Sequence, residues 1–348
     1  MERILKRYAV LNVGIIGAGY IGTKRALVAQ DQPGCAVRII CDIDQARARR
    51  LAKECGCQAT TDWRKVVAHP EIDAVVVATT NNFLATISIA AAKNKKHILC
   101  EKPLGRTLSE AKKIYQVAQN QHVVLKTGFN LRFHPALQKA HALYKQGCIG
   151  KLLLCRALYG HGGRPGYDKE WRMRPAISGG GELLDQGVHL VDLFQWFMGN
   201  SKEVFAMTEN MFWHKSSLED NAFMLLKNKT NVIASAHVSL TQWKNAFLFE
   251  LIGEKGFLRV EGLGKSYGPP KLTKGVRKKL GQRPHESITQ FPDTDVSWRH
   301  EWKEFVASIQ RKKVPLGSGL DGLAASAVIS ALYRSAKSKK IEQVGGMI

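Results

Sequence analysis

Acidic residues are scarce in this chain: Asp and Glu number 29 in 348 residues against 52 Lys and Arg, a formal net charge of +23. A basic field of that strength attracts polyanions and phosphorylated small molecules. No zinc finger, basic zipper or aromatic RNA-binding signature accompanies it. The basic clusters (Arg47, Arg49 and Arg50; Lys271, Lys274, Arg277, Lys278 and Lys279; Lys337, Lys339 and Lys340) carry none of these motifs. The reading is therefore against a nucleic-acid partner and for phosphate on a cofactor or substrate. The seven cysteines, Cys35, Cys41, Cys55, Cys57, Cys100, Cys148 and Cys155, form no C-x-x-C pair. Their odd number and spacing exclude a disulfide-stapled fold and fit a reducing, cytoplasmic setting. No run of about 18 uncharged apolar residues occurs, so no membrane-spanning helix is expected. The amino end, charged up to Arg7 and apolar from Ala9 to Ile16, imitates a secretion signal but leads into a glycine-spaced turn instead of a small-residue cleavage site. Internal repeats and low-complexity tracts are absent.

What is present is ordinary globular material, 45% hydrophobic and 23% charged. At roughly 150 residues per domain it is enough for about two domains. The expected division is a dinucleotide-binding domain over 1–128 and a second domain over 129–348. The apolar run Leu11 to Ile16 reads as a buried strand leading into Gly17-Ala18-Gly19-Tyr20-Ile21-Gly22 and a helix, Thr23 to Gln30. A second strand, Ala36 to Cys41, ends in Asp42, twenty residues beyond Gly22. Each part has a physical use in holding a dinucleotide. Gly17 permits the tight turn, Gly19 lets backbone approach a pyrophosphate, and Gly22 lets helix and strand pack closely. The first helical turn, with Tyr20 and Ile21, offers N–H groups and a positive dipole end. Asp42 can accept from the adenosine ribose and would repel a 2′-phosphate, which favours NAD; Arg47 and Arg49 leave NADP open.

Strands and helices then alternate. The predicted elements are a helix from Ile43 to Cys55, a strand Ala74 to Ala78, a helix Leu84 to Lys93, and a strand His97 to Cys100. A helix capped by Thr107 and Glu110 follows, and then a strand from Val123 to Leu125. This is the pattern of a doubly wound parallel α/β sheet, which binds ligands beyond the carboxyl ends of its strands. Thr79, Asn81, Glu101 and Lys102 therefore fall on the cofactor side. Lys102, fixed between a strand end and Pro103, can polarise a substrate oxygen.

Beyond Gly150 the pattern becomes consecutive strands, which suggests a second α/β domain with a largely antiparallel sheet. A loop-rich basic stretch, Tyr267 to Pro292, and two helices, near 300–310 and 321–338, close the chain; the last is expected to pack back on the first domain. A long helix is predicted over Glu182 to Met198. On it Asp185, His189 and Asp192 stand at about 0°, 40° and −20°, a polar stripe ~60° wide on an otherwise apolar surface. Such a stripe is either a satisfied buried network or a site. A metal site is a weaker third reading, because no partner set such as H-x-x-x-H occurs. Gly179, Gly180 and Gly181 before the helix suit close approach of a ligand.

Four segments in this order resemble the Gfo/Idh/MocA oxidoreductases, the glucose–fructose oxidoreductase and inositol dehydrogenase family: Val13 to Gly22, Cys100 to Leu104, Gly128 to Pro135 and Gly179 to Asp192. The likeness runs over nearly the whole chain. One departure is Thr79-Thr80-Asn81-Asn82-Phe83-Leu84, where the family's T-P-N-x-x-H stretch loses its proline and histidine. The resemblance implies a Rossmann domain followed by an α/β domain whose open sheet carries subunit contacts. It also implies hydride transfer between nicotinamide and a secondary alcohol or ketone of a sugar, cyclitol or nucleotide sugar. Lys102, Asp185 and His189 would be the catalytic group, with His189 as base, Lys102 stabilising the alkoxide and Asp185 orienting the imidazole or holding a hydroxyl. Arg132, Trp171 and Asp192 are expected substrate contacts, and Arg164 a contact to phosphate. An NAD-dependent glycosidase of the same fold and a non-catalytic dinucleotide-sensing or polyanion-binding protein stand as alternatives.

Overall fold

In a computed structural model of the chain, which describes residues 10–345, the run Leu11–Ile16 forms β1 with every residue but Asn12 buried. The charged stretch up to Arg7 lies outside the described residues. The alternation continues through α1 (Tyr20–Gln30), β2 (Cys35–Cys41), α2 (Gln45–Cys55), β3 (Gln58–Thr60) and α3 (Trp63–Ala68). It ends with β4 (Ala74–Val77), α4 (Asn81–Lys93), β5 (His97–Cys100), α5 (Leu108–Asn120) and β6 (Leu125–Thr127). Local chemistry sets several of these ends. Asp44 accepts from the Ala46 and Arg47 N–H groups to start α2, and Gly56 closes it at φ 64°. The Thr107 hydroxyl accepts the Glu110 N–H at 3.1 Å to start α5. The strands pair in the order β3-β2-β1-β4-β5-β6, all parallel, which is the doubly wound Rossmann order.

Alternate residues of the apolar strands feed two cores. Val75, Val77, Ile98 and Cys100 pack with Leu84, Ile87 and Ile114, while Val13, Ile15, Val76 and Leu99 pack with Trp302 and Phe305. At the edge of this sheet, His97 Nδ1 accepts the Val124 N–H at 3.0 Å, so the ring serves as a neutral acceptor. Burial pushes its pKa down to about 4. The unfolded chain therefore takes up a proton that the native one refuses. Stability should fall as pH drops from about 6.5 toward 4, by on the order of 3 kcal/mol, and level off below that. Denaturant unfolding at neutral and acid pH should show this loss in the wild type and a smaller one in His97→Gln; equal losses would contradict the assignment.

The second sheet is mixed. Its elements are α6 (Pro135–Lys145), β7 (Leu152–Gly160), α7 (Pro175–Ser178), α8 (Glu182–Asp185), α9 (Gly187–Met198), β8 (Ser201–Glu209), β9 (Asn221–Asn228), β10 (Ile233–Ser239), β11 (Ala246–Gly253), β12 (Gly256–Glu261), β13 (Lys271–Val276) and β14 (His285–Gln290). The chain closes with α10 (Ser297–Arg311), α11 (Gly319–Ser338) and β15 (Glu342–Gln343). The strand order is β14-β13-β12-β11-β7-β10-β9-β8-β15, antiparallel except for β7 against β10.

Three expectations change. The basic stretch read as loop contains the hairpin β13–β14, whose outer strand is exposed at every position and so lacks any apolar alternation. The single helix over 182–198 is interrupted at Gln186, where the His189 N–H turns to the Gln186 carbonyl at 3.0 Å, an i→i−3 bond that tightens the turn beside Gly187. The division of the chain is also not linear. One compact unit runs to Phe129 and takes back Trp298–Leu323, while Asn130–Ser297 and the chain from Ala324 form the other. It is α10 that packs on the first sheet, through Trp302, Phe305, Val306 and Ile309. Of α11 only the start belongs there, where Gly319 and Gly322 sit against Leu125 and Thr127 with no room for a Cβ.

Candidate active site

In the first unit the glycine turn is closed at two positions and open at one. Gly17 has φ +102°, and a Cβ on it would lie 2.3 Å from the Ala78 carbonyl oxygen; one on Gly22 would lie 1.8 Å from the Gly17 oxygen. A Cβ on Gly19 would meet nothing within 4 Å. Gly19 is the N-cap of α1 and no side chain caps that helix, while Tyr20 is 72% exposed. The first-turn N–H groups, with Ile21 and Gly22, therefore meet open space and no capping side chain, and these residues fit a dinucleotide pyrophosphate. Gly19→Ala tests this directly. Its methyl clashes with nothing in the protein, so thermal stability should hold or rise by about 0.4–1 kcal/mol, while NADH affinity measured by fluorescence should fall at least tenfold. Unchanged affinity would contradict the assignment.

Asp42 stands at the end of β2. Its Oδ2 accepts the Ala18 N–H at 2.7 Å and its Oδ1 the Asp44 N–H at 2.9 Å. The carboxylate thus shapes the glycine turn and keeps lone pairs for a ribose hydroxyl. Thr79 is half-buried and Asn81, the first residue of α4, is 6% exposed. Beyond β5, Glu101 is buried and Lys102 half-buried, and the Lys102–Pro103 peptide is cis. Glu101, expected among the cofactor contacts, accepts from Arg25 Nε at 2.7 Å. A guanidinium only 1% exposed requires that counter-charge. Arg25 was missed in the sequence; the signal was an arginine on the same helix face as Gly22, Ala26 and Ala29, all buried.

In the second unit Asp185 ends α8 and His189 lies in the first turn of α9, 6% exposed. Arg172 Nε stands 3.3 Å from Asp185 Oδ2, and its Nη1 lies 3.2 Å from Glu170 Oε2. Glu170 in turn holds Arg164 Nη2 at 2.6 Å. The Arg172 guanidinium lies 4.6 Å over the Trp171 ring. Burial works against the Arg172 charge, but Asp185, Tyr167 and Glu170 outweigh it and hold its pKa above the ordinary value. Arg172 was not among the sequence candidates; its place directly after Trp171 was the available signal. The Tyr159 ring meets the edge of His189 at 6.2 Å and the Tyr267 ring at 5.6 Å. Burial first, and then Tyr267, Asp185 and Glu182, push the Tyr159 hydroxyl well above its usual range, so it stays a neutral donor.

Two groups of expected residues have protein partners here. Arg132 and Asp192, read as substrate contacts, bind each other in a bidentate pair, Nε–Oδ2 at 2.8 Å and Nη2–Oδ1 at 2.7 Å, at 3% and 1% exposure. Each offers the other a two-point hydrogen-bonding edge. At two of the glycines before α8 the close approach is by protein: a Cβ on Gly180 would lie 2.3 Å from the Tyr333 hydroxyl, and one on Gly181 would lie 2.1 Å from the Glu219 carbonyl oxygen. The Glu219 carboxylate caps α8, accepting from Gly181 N–H at 3.1 Å, Leu183 N–H at 3.2 Å and Tyr333 at 2.6 Å. Arg164, the expected phosphate contact, keeps a 59% exposed side chain beside Glu170, and Trp171 is half-buried under Arg172. Among the described residues no cluster of His, Cys, Asp and Glu could hold a metal ion.

Comparison with known proteins agrees with this geometry. Residues 11–129 match the "Oxidoreductase family, NAD-binding Rossmann fold" and residues 137–259 the "GFO/IDH/MocA C-terminal domain". A levoglucosan dehydrogenase of Pseudarthrobacter phenanthrenivorans is 34% identical over 208 residues, 57% of this chain and 53% of that protein, so the match spans about half of that relative. A myo-inositol 2-dehydrogenase of Thermotoga maritima is 27% identical over 97% of this chain and its own full length. The fold superposes on a levoglucosan dehydrogenase structure in complex with NADH and levoglucosan, with a TM-score of 0.89 and 24% identity, covering 96% of this chain and 99% of that one. With two models of one family covering most of its length, and that family's motifs placed on the expected turns and helices, the chain belongs to the Gfo/Idh/MocA oxidoreductases.

Proposed function

We propose that the protein is an NAD-dependent dehydrogenase or reductase acting on a secondary alcohol or ketone of a sugar or cyclitol. The observation that carries this reading is the glycine turn, packed against backbone at Gly17 and Gly22 and open at Gly19, with Asp42 at its side. Bound NAD supplies the hydride acceptor. The chain's own residues handle the rest. His189 takes the hydroxyl proton, Lys102 stabilises the alkoxide charge, and Asp185, held by Arg172, orients the imidazole or a substrate hydroxyl. The exposed Arg164 guanidinium keeps a nucleotide sugar within the substrate class. Purified protein with NAD and a panel of levoglucosan, myo-inositol and a nucleotide sugar should form reduced nicotinamide with at least one of them. No turnover on any carbohydrate, together with salt-dependent retention on nucleic acid, would favour the non-catalytic reading; cleavage without net NADH would favour a glycosidase.

The free thiols support a reducing, cytoplasmic location, and no described helix is long and apolar enough to cross a membrane. The outer face of the second sheet supports a homo-oligomer. Phe223 lies opposite Met207 and His237, Leu225 is next but one along β9, and Ile233 starts β10; Met207, Phe223, Leu225 and Ile233 are each between 47% and 66% exposed. A contiguous apolar face of this kind suits a second copy. Wild-type protein should sediment as an oligomer and Leu225→Asp as a smaller species; a monomeric wild type would contradict this.

A further inference from the structure

The proposed chemistry leaves one buried network of the first unit unused, and that network adjoins Lys102 in the chain. Arg25 on α1, 1% exposed, points its Nε and Nη2 at Glu101 at 2.7 and 2.6 Å and its Nη1 at Glu301 on α10 at 2.5 Å. The Trp298 ring lies 4.4 Å over the guanidinium. Both edges and one face of the fork are therefore engaged, which fixes its plane. Gly128 makes room for the pair, since a Cβ there would lie 2.8 Å from Glu101 Oε2 and 3.0 Å from Arg25 Nη2. The Glu101 N–H donates to the Val77 carbonyl at 2.9 Å and the Gly128 N–H to the Cys100 carbonyl at 2.8 Å. Glu101 is thus held by backbone and side chain together, and Lys102 is the next residue. One turn further on α10, Glu304 pairs with Lys126 Nζ at 3.2 Å, a second buried cation that does not touch Glu101.

A buried ion set is weak support for stability, because well-packed apolar residues serve as well or better. What it does supply is a fixed geometry at the residue it grips. We propose that Glu301, acting through Arg25 and Glu101, is a positioning residue for Lys102, so that α10 sets the place of the lysine although the two are some two hundred residues apart. This rests on the proposed role of Lys102. Gly128, singled out at the start of the motif Gly128 to Pro135, then has its reason in the space that Glu101 and Arg25 need.

The test compares Arg25→Lys and Glu301→Gln with Glu304→Gln, which removes a half-buried charge from the same helix without touching Glu101. After reductive methylation with labelled formaldehyde, the Lys102 dimethylamine resonance is assigned by its loss in Lys102→Arg. It should move in Arg25→Lys and Glu301→Gln and stay at its wild-type position in Glu304→Gln. On whichever sugar turns over, Arg25→Lys should lower kcat about ten- to a hundredfold with KM within about twofold. A resonance unmoved in both variants, or moved equally in Glu304→Gln, overturns the relay. Loss of the fold in Glu301→Gln while Glu304→Gln folds would make the network purely structural and also overturn it. A wild-type protein without turnover on any sugar speaks against the activity and leaves the resonance comparison to judge the relay.

Discussion

Replacing His189 by glutamine should leave a folded protein that binds NADH normally but transfers hydride about 10²- to 10⁴-fold more slowly. The side chain is 6% exposed and lies in the first turn of α9, so glutamine fills the space and the loss is chemical. Direction with pH is fixed by the role. A base must be neutral to take the alcohol proton, so the oxidation rate of the wild type should fall toward acid, while carbonyl reduction, which needs the protonated imidazole, should favour lower pH. The residual activity of His189→Gln should lose that dependence. Stopped-flow measurement of NADH formation checks both points, and a variant within threefold of wild type would remove His189 from the mechanism.

Arg132→Ala should be the most destabilising of the single changes considered. It strips the bidentate guanidinium from Asp192, which is 1% exposed, and leaves a buried carboxylate without that counter-charge at a cost of about 3–5 kcal/mol. Replacing both members by apolar residues of similar size, as in Arg132→Met with Asp192→Leu, should recover much of the loss, because the desolvation penalty disappears with the charges. Thermal unfolding of the two singles and the double measures this. If Arg132→Ala kept its stability and instead raised KM for a sugar more than tenfold, Arg132 would be a substrate contact after all.

The contrast between these two sites shows how far the sequence could be read. The first sheet was legible because strands buried on both faces are written as unbroken apolar runs: Leu11–Ile16 and His97–Cys100 begin and end where the residues indicate. β3 and α3 were missed because three and six residues are too short to show a period. The hairpin β13–β14 was missed because its edge strand, His285–Gln290, is exposed at every position and so shows no apolar alternation. The polar stripe of Asp185, His189 and Asp192 was visible, but it mixed two fates. Asp192 meets Arg132 sixty residues away, and Asp185 meets Arg172; neither pairing leaves a mark in a one-dimensional pattern. The glycines before α8 misled for the same reason, since close approach can be by Tyr333 and Glu219 as well as by a ligand.

The most direct measurement of the central proposal, that Lys102 and His189 serve one hydride transfer, is a double-mutant cycle read by single-turnover NADH formation with saturating NAD and levoglucosan or myo-inositol. Lys102→Met and His189→Gln should each be severe, and the double variant little worse than the more severe single, because groups serving one transition state fail as a unit. Independent effects, with the two losses adding in free energy within about 0.5 kcal/mol, would show that the ammonium and the imidazole do not serve the same reaction.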